Sequence, residues 1–272
     1  MNMKRNVKIF LKSFVLSALI FSIFSAVIIY AAYSSALYVD PQNEESNILL
    51  AVVDDKSNDL VSLAVVNVDP KNNSISFVSV PDNTVLEENS LLQVLYKTEG
   101  VSQLEKRTEE LLGIKIARYL IFSTDKIKEI TDTMGDFVHA ISYPFEYDKK
   151  QYSGTELMNG TLASEMFLYD SYDLTSVSVA EIGMSFLQSF LSKYANEESI
   201  NKLADVMIKG DYCKSRFTDL SEKEIREYAK VFSSYPSMTH RNVQIEGEYN
   251  TTSARTYFIP KKTKADKNIF QK

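Results

Sequence analysis

No charged residue occurs between Ser13 and Val39, and the run FVLSALIFSIFSAVIIYAAY inside that window is apolar almost throughout. A bilayer core of about 30 Å needs about 20 helical residues at a rise of about 1.5 Å each, so this run is long enough to cross. Lys4, Arg5, Lys8 and Lys12 precede it, and Asp40, Glu44 and Glu45 follow it. That asymmetry predicts a cytoplasmic N-terminus and places everything after residue 40 outside the cell membrane. A cleaved signal peptide is the competing reading, because AAYSSA offers small residues for cleavage. Signal cores run about 7–15 residues, and this run exceeds that, which favours an uncleaved single-span anchor. The expected layout is a cytoplasmic N-terminus over 1–12, a transmembrane anchor over 13–39, a polar linker over 40–46, an extracytoplasmic domain over 47–260 and a basic tail over 261–272.

Between residues 40 and 260 the chain holds 21 basic and 35 acidic residues, a net charge of −14. A body that acidic repels phosphate backbones, so nucleic-acid binding is disfavoured. Cys213 is the only cysteine, which rules out an intramolecular disulfide. With His139 and His240 as the only histidines, the donors of a zinc cluster are lacking, and Cys213 reads as an inert thiol in a polar stretch.

Beyond the linker, NILLAVVDD, LVSLAVVNVDP and SISFVSVP read as three strands, the last two joined by the turn PKNN. VSQLEKRTEELLG reads as a helix stopped by Gly113, IKIARYLIFS as a strand, and DKIKEITDTMG as a helix capped by Ser123 or Thr124. FVHAISYPFEY is a strand interrupted at Pro144, and VAEIGMSFLQSFLSKYA is a helix. Ser221 and Glu224 form the S-x-x-E signature of a capping box, and RTYFIP closes the pattern as a weak strand. Strands alternating with helices predict an α/β domain, a mixed sheet with helices on both faces. The third strand raises a question, since Pro81-Asp82-Asn83 ends a buried strand with two polar residues at a sheet end, where sites are usually built. A turn is the plain explanation.

In that order and spacing, several stretches resemble the LytR-CpsA-Psr family of bacterial envelope proteins. They are NILLAVVDDK, VVNVDPKNNSISFVSVPDNT, LEKRTEELLGIKIARYLIFSTDKIKEITDTMGDFVHAISYPF, LMNGTLASEMF, and TDLSEKEIREYAK with RTYFIP. The resemblance runs from about Asn47 to Pro260 and implies membership of a family that moves a phosphate-linked glycopolymer from a polyprenyl carrier to peptidoglycan, with magnesium. Such chemistry asks for arginines on a pyrophosphate, carboxylates for magnesium or as a base, and an apolar tunnel for the lipid.

This chain departs from that pattern where the arginines belong. The family's S-I-P-R-D-T reads Ser79-Val80-Pro81-Asp82-Asn83-Thr84 here, so an acid stands at the arginine position. Three further arginine positions fall at Leu168, Ser176 and Val179, a glutamine falls at Ala180, and Lys56 is the basic survivor. Asp54 matches one family aspartate, while Val61 falls at the other, with Asp59 two residues earlier as a substitute on the same strand face. The candidate site residues are therefore Asp54 and Asp59 for catalysis, Asp54 and Asp55 for magnesium, and Lys56 and Arg118 for phosphate. Phe77, Phe122, Phe137, Phe186 and Phe190 are candidates for a lipid pocket, with an ordinary hydrophobic core as the alternative. The expected function is a membrane-anchored domain in envelope assembly that binds a polyprenyl lipid or an envelope protein and has lost transferase chemistry. The alternative is an active phosphotransferase with a rearranged site.

Overall fold

The computed structural model describes Ser22, Ser25 and residues 39–271, apart from 87–90, 170–178, 211, 213–216, 253–255 and 262–267. The expected transmembrane span lies outside the described residues except for Ser22, Ser25 and Val39, and among the described residues no helix is long and apolar enough to cross a membrane.

Residues 40–272 form one compact unit. Strands β1 (Ser46–Val53), β2 (Leu60–Asp69) and β3 (Ser74–Val80) open it as an antiparallel meander. Helices α1 (Leu92–Glu99) and α2 (Val101–Leu112) follow, then β4 (Arg118–Ser123) and α3 (Thr124–Met134). A two-stranded ribbon of β5 (Phe137–Tyr147) and β6 (Lys150–Met158) leads into α4 (Gly160–Leu168). Helices α5 (Val179–Tyr194), α6 (Glu197–Lys209) and α7 (Glu222–Ser233) precede β7 (Thr239–Val243), and β8 (Gly247–Thr251) with β9 (Thr256–Pro260) forms a second ribbon.

The main sheet has the order β4-β1-β2-β3-β7, with only β2 antiparallel to its neighbours. Both of its faces are covered. Alternate residues Ile48, Val66, Ile75 and Phe77 pack against α5, α6 and α7, while Leu49, Val65, Val78 and Ile121 pack against α1 and α2. That double burial explains why β2 is apolar almost without alternation. The predicted α/β class and mixed sheet are therefore present.

Several elements were not evident in the sequence. The expected strand IKIARYLIFS is shorter, since pairing with β1 starts at Arg118. β6 escaped notice because KQYSGTELM is polar on both faces and carries Gly154; it holds its place by pairing with β5, whose register slips between Ile141 and Phe145, across Pro144. Helices α1, α4 and α6 and strands β7 and β8 were likewise unassigned. The basic tail does not simply leave the domain, because Ile269 and Phe270 return to bury against the α1/α2 face.

Candidate functional site

β1, β3 and β4 run parallel, so Asp54, Asp82 and Thr124, which follow them, emerge at one end of the sheet beside the start of β2. Carboxyl ends of strands are where open α/β sheets place ligands. The sequence supplies this end with acids.

Asp54 closes the β1–β2 loop. Its two carboxylate oxygens accept the backbone N–H groups of Lys56 and Ser57, each at 3.1 Å, and its own N–H donates to the Asp59 carbonyl at 3.0 Å. A hydrogen bond from the Ser57 side chain, joined by those amides and the Lys56 ammonium, holds the Asp54 carboxyl below its ordinary range. Asp55 points to a different task, accepting the Asp125 N–H at 2.6 Å and the Thr124 hydroxyl at 3.3 Å at the start of α3. It is spent on a helix N-terminus, where a carboxylate is favoured. Asp59 pairs with Lys97 Nζ of α1 at 2.8 Å, and Lys97, followed by the Ser57 hydrogen bond, lowers its carboxyl too.

Asp59 does not share a strand face with Val61. Val52 faces Ser62 and Val53 faces Leu60, which leaves Val61 as the unpaired residue of a β-bulge. A bulge re-aims the side chains on either side of it, so the two-residue alternation fails here. Lys97 was missed because α1 itself was missed, although Leu92, Leu95 and Tyr96 carry its helical spacing.

The turn after β3 answers the question of Asp82 and Asn83. The Thr84 N–H and hydroxyl both donate to the Pro81 carbonyl, closing the turn. Asn83 Nδ2 donates to the Thr256 carbonyl at 3.1 Å, which ties the turn to β9, while its Oδ1 is buried with no partner among the described residues. Burial pushes the Asp82 carboxyl up to about 6. Of the other replaced positions, Leu168 is half-buried at the end of α4, Val179 and Ala180 are buried at the start of α5, and Ser176 lies outside the described residues.

Arg118 is not brought to this end. It pairs with Ile48 in register whereas Asp54 follows Val53, so about five residues at ~3.3 Å each separate them along the sheet. Arg118 Nε donates to Glu224 at 2.8 Å in a largely buried ion pair. Arg107 and Arg226 pair with Glu110 and Asp205 on helix surfaces, each at 2.9 Å. Two lysines, Lys56 and Lys97, therefore supply the described cationic charge beside Asp54 and Asp59.

Magnesium binds through one or two carboxylates plus water and substrate phosphate. Among the described residues no group of three or more His, Cys, Asp or Glu could hold an ion. Asp54 and Asp59 fit the two-carboxylate mode, since both are held low and the charge of Asp54 acts on Asp59. Asp55 uses one carboxylate oxygen on the α3 terminus.

Behind this end, an apolar cavity of about 140 Å³ separates the sheet from α3, α4, α5 and α6. Leu50, Val52, Ala64 and Phe122 form its sheet wall, and no charged side chain lines it. Phe186 and Phe190 of α5 face it with Phe122. Phe137 stands behind them, edge-on to both rings at 5.2 and 5.6 Å. Phe77 lies elsewhere, packed at 6.3 Å from Tyr235 in the α5–α7 core. Gly183 allows α5 to approach β2 at the cavity wall, because a Cβ there would meet Ser62 Oγ at 2.5 Å. His139 is buried with Nδ1 at 3.0 Å from Ser189 Oγ, and burial lowers its pKa. His240 stacks on Tyr235.

The LytR_cpsA_psr family model matches residues 26–271. The chain belongs to that family. It is 23% identical over 237 residues, 83% of this chain and 77% of the relative, to the polyisoprenyl-teichoic acid–peptidoglycan teichoic acid transferase TagU of Bacillus cereus. Its fold is similar to the crystal structure of B. subtilis TagV, with a TM-score of 0.68 and 17% identity over 84% of this chain and 96% of that one. It is also similar to the LytR-CPS2A-psr family protein YwtF (TagT) with bound octaprenyl pyrophosphate lipid, with a TM-score of 0.61 and 14% identity over 86% and 91% of the two chains.

Proposed function

We propose that this LytR-CpsA-Psr protein acts in bacterial cell-envelope assembly by binding a polyprenyl-linked lipid outside the membrane, and that it no longer transfers the glycopolymer. The observation that carries the reading is the uncharged cavity between the sheet and α3–α6, walled by Phe122, Phe186 and Phe190. An isoprenoid chain gains roughly 25 cal/mol for each Å² of apolar surface that such a cavity removes from water. A related protein of the same fold is described with bound octaprenyl pyrophosphate lipid, which supports the assignment of the ligand.

Loss of transfer follows from charge. A leaving pyrophosphate needs preorganised cations, and losing one donor of this kind costs about 3–4 kcal/mol, or 10²–10³ in rate. In place of the family's arginine stands Asp82; of the described arginines, 107, 118 and 226 are committed to Glu110, Glu224 and Asp205, and Arg241 donates to the Phe270 carbonyl. The second reading, an active phosphotransferase, draws on Asp54 and Asp59, whose lowered carboxyls would hold magnesium, with Lys56 and Lys97 beside them for a substrate phosphate. When bound, the ion would neutralise phosphate charge. The N-terminal segment Ser13–Val39 anchors the protein in the membrane in either reading.

The test is native mass spectrometry of the full chain in lipid nanodiscs with a polyprenyl pyrophosphate, with and without magnesium. Binding indifferent to magnesium, and lost in Ala64→Phe, is the expected result, because that substitution fills the cavity without touching the loop. Binding strengthened by magnesium and weakened in Asp54→Asn favours the transferase. Absence of binding sinks the lipid reading.

A further inference from the structure

Val138 and Leu157 are the most exposed large apolar side chains among the described residues, at 62% and 58%, and they stand directly opposite each other on β5 and β6. Cross-strand partners hold their Cβ atoms within about 5.5 Å, so the two form one patch. Strand alternation puts it outside. Phe137 and His139 turn inward onto Phe186, Phe190 and Ser189 of α5, which leaves Val138, Ala140, Thr155 and Leu157 on the outer face of the ribbon. Two helices bring this patch to the end of the main sheet where β1 begins. α3 starts at the finish of β4 and returns over the sheet, lining the apolar cavity with Ile127 and Ile130 before it stops at Gly135. α5 passes Ser62 at Gly183, opposite the late β1 residue Val52, and its Tyr194, about 16 Å further along the helix, donates to the Gly135 carbonyl at 2.6 Å. Gly135 precedes Val138 by three residues.

We infer, resting on the membrane anchor proposed above, that the outer face of the β5–β6 ribbon at Val138 and Leu157 sits in the headgroup layer of the bilayer. The length of the tether supports this. Residues 40–45 separate the uncharged run from β1, and at about 3.6 Å per residue they keep Ser46 within about 25 Å of its end. The linker is shorter still, because the Asn43 and Glu44 N–H groups both donate to the Asp40 carbonyl. The size of the patch also selects the occupant. A stable protein partner needs about 800 Å² on each side, far more than two side chains present. A bilayer does not, since an anchor already holds the domain at its surface at high effective concentration, and a small apolar contact then suffices to orient it. Charge at this end is mixed, with Asp136 before the ribbon, Glu197 and Glu198 opening α6, Lys193 on α5, and Lys202, whose Nζ donates to the Thr133 carbonyl at 2.7 Å. Apolar burial, not attraction to anionic lipid, therefore drives the contact.

The chain has no tryptophan, so a single one introduced by substitution reports its own surroundings. Val138→Trp, Leu157→Trp and Val94→Trp are made in the full chain, the last at an exposed position on α1, which covers the other face of the sheet. Each is reconstituted into phosphatidylcholine vesicles with and without bromine on the acyl chains. Both ribbon tryptophans should lose about twofold in emission to the brominated lipid, while Val94→Trp stays unchanged. Flotation with the vesicles tests the anchor separately. Protein that floats with its ribbon tryptophans unquenched overturns the surface and leaves the anchor standing; protein that fails to float overturns the anchor and the surface with it. Equal quenching at position 94 overturns the assignment to the ribbon. A blue shift at 138 and 157 without quenching, growing with the ratio of protein to lipid, gives the ribbon to a second copy of the chain and overturns bilayer contact.

Discussion

The two ends of the main sheet carry opposite electrostatic designs. At the end where β1 and β4 begin, Arg118 and Glu224 form a pair with side-chain exposures of 11% and 6%, and Glu224 also accepts the Ser221 N–H and hydroxyl of the capping box. Burial pushes the Glu224 carboxyl up, but the Ser221 bonds and Arg118 outweigh it and leave it below its ordinary range. At the end where β1 and β3 finish stand Asp54, Asp55, Asp59 and Asp82, and Asp59 pairs there with Lys97, both about half exposed. The first end keeps its arginine for folding. The second offers anionic substrates little to hold, and that contrast underlies the reading of lost transfer.

The largest test of the contrast is Arg118→Ala. It strands a buried carboxylate, and such losses cost about 3–5 kcal/mol, so urea unfolding at pH 7 should show a much lower midpoint. A loss under about 1 kcal/mol would mean the pair is not structural. In the parent the pair's contribution is present above the unfolded Glu pKa and is lost as pH falls through the lowered Glu224 value.

Next in size is Asp82→Asn. Because the Asp82 carboxyl is raised from 3.8 to about 6, the native state binds the extra proton, and stability falls as pH rises across that window. The residue is half-buried rather than sealed, so the expected gain is ~1–2 kcal/mol at pH 8 and nothing at pH 4. Denaturation curves at the two pH values check it, and a gain equal at both would refute the titration. Lys97→Ala is the smallest. An exposed pair is worth about 0–1 kcal/mol, so stability should barely move, while the Asp59 carboxyl, followed by NMR, should titrate higher.

Much of the fold was legible because burial on both faces writes continuous apolar strands, and capping chemistry writes helix ends. β1 to β3, α2, α3, α5 and the Ser221–Glu224 box all followed from such local signals. The site was legible only in part. Asp54 stands at its strand end as the sequence indicates, but Asp59 was aimed by a bulge at Val61, and Arg118 was claimed by Glu224, 106 residues away.

The sequence by itself determined the α/β alternation and the acidic body, since composition and period-two or helical spacing are local properties of the chain, while Asp82 stands at an arginine position only as the resemblance to the family implies. Only the tertiary structure decided that Asp55 caps α3, that Lys97 meets Asp59, and that Phe122, Phe186 and Phe190 share a cavity while Phe77 stands outside it. Those outcomes depend on which strands lie side by side and which helix covers which face, and long-range packing of that kind leaves no mark in the spacing of neighbouring residues.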